Sequence, residues 1–322
     1  MRSLKVLVPT TIQPPASDPT VEYVPYDPAA PLPSGCEDAD ALVVWGGSQD
    51  LLDDAALRLD RLRLVQLLSA GYENAVKAGF AEGVSIANGR GLHDRPVAEH
   101  ALALILASAR RLHVAFDAQR EHRWASELGG IQREPCPGLF STLRGARVAI
   151  WGYGSIAAAL EPHLTGLGAT VTGIARTPRT IGRVGVVTED DLADLLPRTD
   201  LLVMILPSTP ETRRVLDAER LALLPGHAWL VNVGRGDTVD EAALFDALTA
   251  GRLGGAALDV TATEPLPPDS PLWEAPNLIL TPHAAGGRPL GAADLIAANA
   301  AALNAGEPLR NVVAGPHRHS AD

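Results

Sequence analysis

The chain predicts an α/β protein built of two parallel-sheet domains, one inserted into the other, and three observations lead there. Short β-rich runs alternate with helix-length amphipathic stretches from end to end, the pattern of parallel α/β architecture. The length, 322 residues, holds two domains of ordinary size. A glycine-rich turn at 152–157 opens a second strand series partway along the chain.

The first series has strands at 5–8, 21–24, 41–45, 64–68 and 84–87, with short helices at 53–61 and 73–78. A long Ala/Leu helix follows over about 97–116, with Pro96 suited to its first turn. After it comes an irregular Gly/Pro-rich stretch, 127–144. The second series has strands at 147–151, 170–175, 201–206, 228–233, 256–260 and 278–280. Helices separate them at 155–167, 189–196, 218–223 and 241–250. Thr188 with Asp191 resembles a capping box, and Asp240 is a candidate N-cap. A last Ala-rich helix, about 290–303, precedes a short tail. The expected division is an outer domain of residues 1–95 plus 287–322 around a nucleotide-type domain of 96–286. The helices near 97–116 and 290–303 are candidate hinges.

Composition narrows the function classes. Apolar residues make up 46% but aromatics only 4%, so the cores are Ala, Leu, Val and Ile. The net charge of −11 argues against nucleic acid or an anionic membrane as partner. A small anionic substrate stays compatible, because a few arginines reverse the potential locally. Cys36 and Cys136 form no CxxC or zinc-ligand pattern, so no metal is expected and both read as free thiols in a reducing compartment. No signal peptide or membrane span is visible, which predicts a soluble cytoplasmic protein.

Gly152-Tyr153-Gly154-Ser155-Ile156-Ala157 follows a strand and opens a helix, the context a dinucleotide fingerprint requires. Gly152 permits the tight turn, and Gly154 lets a pyrophosphate approach. The amides of Ser155 and Ile156 belong to the helix N-terminus that faces it. The alternative is an ordinary strand-to-helix turn. About 20 residues on, NAD enzymes usually carry an acid for the ribose 2′-hydroxyl. Here Arg176, Thr177 and Arg179 stand instead, groups suited to a 2′-phosphate. NADP(H) is therefore the expected cofactor, with NAD(H) possible; the alternative for both arginines is a solvated surface charge.

Three later segments carry polar residues just past strand ends, where α/β enzymes collect their active sites. They are Asn232-Val233-Gly234-Arg235-Gly236, Asp259-Val260-Thr261-Ala262-Thr263-Glu264-Pro265 and Thr281-Pro282-His283-Ala284-Ala285-Gly286. With the glycine turn, Leu206-Pro207-Ser208-Thr209-Pro210-Glu211-Thr212, Ser270-Pro271-Leu272-Trp273 and Pro96-Val97-Ala98-Glu99-His100, the order resembles the D-isomer-specific 2-hydroxyacid dehydrogenase family. The glyoxylate/hydroxypyruvate reductase branch is the nearest in character, and the resemblance covers nearly the whole chain.

The resemblance implies a Rossmann cofactor domain inserted into a flavodoxin-like substrate domain, with the active site in the cleft between them. It implies that Arg235 holds the substrate carboxylate and polarises the keto oxygen. His283 would donate a proton to that oxygen, with Glu264 bonded to it. Charge developing on a carbonyl oxygen is stabilised by just such a cation and proton donor. Taken singly, Arg235 has a surface-charge alternative, Glu264 a helix-start alternative and His283 a loop alternative. The backbone amides of Ala70 and Gly71 would bind the carboxylate, and Trp45 would wall the site or else belong to the core. Val233, Asp259, His283 and Gly286 would lie on the nicotinamide side, Asp259 alternatively capping local amides. Leu206, Pro207 and Thr212 would line the adenine and phosphate side. His93, His100 and His113 read as structural. The expected partner is a small 2-keto or D-2-hydroxy acid, and the family implies a homodimer.

Two alternatives stand beside this reading. One is another dehydrogenase of the family, acting on phosphoglycerate, phosphite, formate or a longer-chain 2-keto acid. The end of the chain at 322, with no regulatory domain after it, is expected to weigh against phosphoglycerate. The last is a non-catalytic, nucleotide-sensing protein like the corepressors of this fold.

Overall fold

The computed structural model describes residues 2–130, 139–287 and 289–316. The chain forms two compact units, Met1–His93 with Arg288–Asp322, and Asp94–Gly287.

The first unit is a six-stranded sheet. Its strands are β1 (Leu4–Pro9), β2 (Val21–Tyr26), β3 (Ala41–Val44), β4 (Leu64–Leu67), β5 (Ser85–Ala87) and β14 (Val312–Ala314), in the order β14-β5-β4-β3-β1-β2. All pairs are parallel except β14 with β5. The order β2-β1-β3-β4-β5 is that of flavodoxin-like sheets. Alternation along each strand sends residues to opposite faces. Val6, Val8, Ala41 and Val43 pack with Leu295, Ile296 and Ala300 of α9 (Ala292–Ala305). Leu7, Leu42 and Val65 pack with Leu51 and Ala55 of α1 (Gln49–Arg58) and Ala75 of α2 (Glu73–Lys77). Cys36 is a buried free thiol in this second layer, whereas Cys136 lies outside the described residues.

The second unit holds β6 (Arg147–Trp151), β7 (Thr170–Ile174), β8 (Arg179–Ile181), β9 (Val184–Val187), β10 (Leu201–Met204), β11 (Trp229–Asn232), β12 (Gly255–Leu258) and β13 (Leu278–Leu280). Their order is β13-β12-β11-β10-β6-β7-β9-β8, parallel throughout except β8 with β9. The run β9-β7-β6-β10-β11-β12 is the doubly wound Rossmann order, and it reverses between β6 and β10. One face packs Val148, Ile150, Leu201 and Val203 against α3 (Asp94–Ala109) and α5 (Ser155–Gly166). The other packs Ala149, Trp151, Leu202 and Met204 against α6 (Leu192–Leu195), α7 (Ala218–Leu223) and α8 (Glu241–Thr249).

Two details differ from expectation. The helix expected over 97–116 is two, α3 and α4 (Leu112–Arg120), because Arg111 takes a left-handed φ of 49°. No Gly or Pro marks that break. The stretch after β7, where no strand was expected before 201, also forms a hairpin, β8 and β9, turning at Gly182 with φ 60°, and Arg179 opens β8. The capping box at Thr188 and Asp191 forms, and Asp240 caps α8 by accepting from the Ala243 N–H. Among the described residues no helix is long and apolar enough to cross a membrane.

Candidate active site

The carboxyl ends of β6, β7 and β10 meet at the glycine turn, whose Gly152 and Tyr153 N–H groups both donate to the Ile174 carbonyl. Gly152 has φ +97°, and a Cβ there would overlap the Ile205 carbonyl, so the turn admits only glycine. Gly154 then caps α5, whose first amides, those of Ser155 and Ile156, are the unpaired donors of a helix start. The Ser155 hydroxyl is engaged with Asp94 at 3.0 Å. A Cβ added at Gly154 meets nothing within 4 Å, so its surface is open to a ligand. This is a cradle that fits a dinucleotide pyrophosphate.

Beyond β7 no carboxylate occurs before β8. Arg176 and Thr177 are exposed, and Arg176 has no partner among the described residues. Arg179 reaches back to the turn itself, donating to the Tyr153 carbonyl at 2.9 Å. Leu206 and Pro207 follow β10. Thr212 lies in a turn, not at a helix start, and its hydroxyl donates to the Pro207 carbonyl at 2.7 Å. That bond closes the loop 207–212 on itself.

Arg235 stands on the loop after β11. Asn232, wholly buried, holds this loop from below: its amide donates to the Arg235 carbonyl at 3.0 Å and its oxygen accepts from the Gly234 N–H at 3.0 Å. The Arg235 guanidinium donates to the Gly234 carbonyl at 2.8 Å and is only part-buried. Gly236 packs so tightly on the Thr261 backbone that any Cβ would overlap it, which joins the arginine loop to the loop after β12.

That second loop carries Glu264. One carboxylate oxygen accepts from the Thr261 N–H at 3.0 Å, and the other lies 2.7 Å from His283 Nδ1. Glu241, the first residue of α8, accepts from the Ala262 N–H at 2.7 Å and steadies the same loop. Burial pushes the Glu241 carboxyl up, the Ala262 N–H opposes this, and the charges of Asp240 and Glu264 add to the rise. A carboxylate can only accept, so Nδ1 of His283 carries a hydrogen and Nε2 is the atom left for a substrate. The His283 side chain is 45% exposed, and its φ of 51° is left-handed.

Asp259 underlies this loop. Its side chain has no exposed surface, and it accepts from the Thr281 hydroxyl at 2.6 Å, the Ala284 N–H at 2.9 Å and the Ala285 N–H at 3.0 Å. Val233, Asp259, His283 and Gly286 thus follow β11, β12 and β13 on the same sheet edge as the glycine turn.

His100, expected to be structural, meets this region: its Nε2 faces the Thr281 hydroxyl and Asp259. His93 stacks on Trp45, and His113 packs against Trp229 with the rings tilted by 54°. Asn232 and Thr281 were not singled out from sequence. The signal for Asn232 was there, a polar residue ending the apolar run 228–231.

The first unit holds its own group. Trp45 is half-buried, with its ring 5.4 Å from that of His93. The Ser69 hydroxyl donates to the Gly71 carbonyl at 2.7 Å, and the Asn88 amide donates to the Ala70 carbonyl at 2.8 Å. Both carbonyls of the loop are therefore tied down, while the Ala70 and Gly71 N–H groups have no partner among the described residues.

Comparison with known proteins places the chain in a family. Residues 102–285 match the family model for the NAD binding domain of D-isomer specific 2-hydroxyacid dehydrogenases. The D-3-phosphoglycerate dehydrogenase of Mycobacterium tuberculosis is 34% identical over 314 residues, 96% of this chain but 56% of that protein. The chain thus spans little more than half the length of that relative. The glyoxylate reductase of Korarchaeum cryptofilum is 33% identical over 258 residues, 79% of this chain and 76% of the relative. A D-isomer specific 2-hydroxyacid dehydrogenase from Xanthobacter autotrophicus Py2, solved with NADPH and MES, is 31% identical with a TM-score of 0.79, covering 98% of each chain. The chain belongs to the D-isomer-specific 2-hydroxyacid dehydrogenase family.

Proposed function

We propose that the chain reduces a small 2-keto acid, glyoxylate or hydroxypyruvate, to its D-2-hydroxy acid at the expense of NADPH. The observation that carries this reading is the 2.7 Å contact between His283 Nδ1 and Glu264, on the same sheet edge as Arg235 and the glycine turn. The reductase relative and the NADPH-bound neighbour support it.

In this reading Asp94–Gly287 is the cofactor domain and the other unit the substrate domain. Gly152, Gly154 and the amides of Ser155 and Ile156 hold the pyrophosphate. Arg176, Thr177 and Arg179 hold the 2′-phosphate that distinguishes NADP(H) from NAD(H). Leu206, Pro207 and Thr212 line the adenine side. Val233, Asp259, His283 and Gly286 border the nicotinamide, Asp259 through the loop it holds.

When bound, the dihydronicotinamide would supply a hydride for the keto carbon. Arg235 holds the substrate carboxylate and stabilises the negative charge that grows on the keto oxygen. His283 Nε2 gives that oxygen its proton, while Glu264 on Nδ1 fixes the ring and compensates the imidazolium charge. The Ala70 and Gly71 amides are additional carboxylate donors, and Trp45 bounds the space for the substrate side chain. A homodimer in the cytoplasm, with no nucleic acid, metal or membrane partner, completes the reading.

The test is oxidation of NADPH and of NADH with glyoxylate, hydroxypyruvate, pyruvate, 2-ketobutyrate and phenylpyruvate, with His283→Ala as the control. Rapid NADPH oxidation with one acid, lost by about a hundredfold or more in the variant, is the expected result. Silence with every acid from folded protein refutes it. The 34% identity to the mycobacterial enzyme favours a second reading, oxidation of D-3-phosphoglycerate. NADH formation from that compound, with no keto acid in the panel reduced, would select it.

A further inference from the structure

His100 lies on α3, in sequence 181 residues from the histidine loop it touches. Its ring is three-quarters buried, and Nε2 stands 3.0 Å from the Thr281 hydroxyl and 3.2 Å from Asp259 Oδ1. The Thr281 hydroxyl has one hydrogen, and that points to Asp259 at 2.6 Å. Both oxygens facing the ring are thus acceptors, so Nε2 must carry the hydrogen.

The group His100 supports is the one that fixes His283. Asp259 accepts side-chain bonds from the amides of Ala284 and Ala285, and its main-chain carbonyl accepts from the His283 N–H at 2.7 Å. Asp259 therefore holds the backbone at His283 and at the two residues that follow. That residue sits at φ 51°, a conformation a side-chain-bearing residue keeps only when its surroundings impose it. No solvent reaches the Asp259 carboxylate to replace a lost donor.

We propose that His100 is a positioning residue: by donating Nε2–H to Asp259 and Thr281 it sets the loop that aims His283. Its importance for turnover rests on the reading of His283 as proton donor; its effect on the His283 ring does not. Removing the donor lets the buried carboxylate turn toward other partners, and the amides of 284 and 285 follow it.

The experiment uses His100→Ala and His100→Gln in the full chain. The Gln amide nitrogen donates from nearly the place of imidazole Nε2. Two readouts are taken. One is steady-state reduction of the best keto acid; the other is the 15N spectrum of the imidazoles, with the His283 signals assigned by their loss in His283→Ala. In His100→Ala, kcat should fall roughly tenfold, as expected for a misaimed proton donor. The cofactor KM should stay within about twofold, and the His283 nitrogens should shift. His100→Gln should recover most of kcat and of the shift. Unmoved His283 signals in folded His100→Ala overturn the proposal, as does a loss that Gln fails to restore. If the parent chain reduces no keto acid yet the His283 signals still move, the positioning stands and the reductase reading fails.

Discussion

The loops after β11, β12 and β13 and the loop at 69–72 are both polar and both follow strand ends, yet they are built in opposite ways. In the first group buried or half-buried side chains are bonded to the loops they hold: Asn232 to the arginine loop, Asp259 to the histidine loop, Glu264 to His283. In the second, side chains tie down the carbonyls while the Ala70 and Gly71 N–H groups have no partner among the described residues. In the proposed reading the first group moves a proton, which demands a donor aimed before the substrate arrives. Gripping a carboxylate demands donors that stay unpaired until the anion supplies their partner.

The sharpest way to break this contrast is Arg235→Lys. If the guanidinium grips the carboxylate with a planar pair of N–H groups, lysine's single point charge does not replace it. Reduction of the keto acid should fall by about a hundredfold in kcat/KM, roughly 3 kcal/mol of transition-state stabilisation. The thermal midpoint should hold, because the side chain is only part-buried and makes one local bond. A variant with full activity would remove Arg235 from the site.

Arg176→Ala tests the proposed 2′-phosphate site, where the exposed guanidinium has no partner among the described residues. Loss of a charge-assisted contact to phosphate should weaken NADPH binding by about tenfold or more and leave NADH nearly unchanged. Equal effects on both cofactors, measured by fluorescence titration, would end the 2′-phosphate argument.

A smaller effect is expected from Ser69→Ala. The hydroxyl fixes the Gly71 carbonyl and with it the direction of the loop's amides. Its loss should raise the keto acid KM by roughly three- to tenfold, the cost of one neutral hydrogen bond, with kcat preserved. A fall in kcat at constant KM would show that this loop acts on the chemistry and would blur the contrast between the two regions.

Much of this was legible in the sequence for a physical reason: periodicity and glycine placement are local, and they mark β6, the turn at Gly152 and the start of α5 directly. The capping groups Thr188 and Asp240 were legible for the same reason. What escaped depends on contacts far apart in the chain. The break at Arg111 carries no Gly or Pro, and β14 exists because it can pair antiparallel with β5, more than 200 residues earlier. The contact of His100 with Asp259 joins a helix to a loop some 160 residues later, and a histidine on an apolar helix face gives no hint of it.

The opposite edge of the second unit's sheet supplies the control. There Asp200 receives the Arg147 guanidinium at 2.8 and 3.0 Å and lies 2.8 Å from His227 Nε2. These bonds are as short as those around His283, but the residues stand at or just before the starts of strands β6, β10 and β11 instead of following their ends. Burial alone would raise the Asp200 carboxyl; the bonds from Arg147 and His227 outweigh it and hold the group down at about 2, against 3.8 when unperturbed. A carboxyl more acidic in the folded state stabilises the fold above its unfolded value, and that contribution is lost as pH falls from about 4 to about 2. With the half-exposed arginine partly screened by water, the contribution is about 1–2 kcal/mol. Asp200→Asn should therefore lower the melting temperature by about 2–6 °C at pH 7, and the gap to the parent should close as pH approaches 2. Turnover at 25 °C should be unchanged. If instead activity drops while the melting temperature holds, the two edges of the sheet are not functionally separate, and short polar contacts at strand beginnings would have to be counted with the active site.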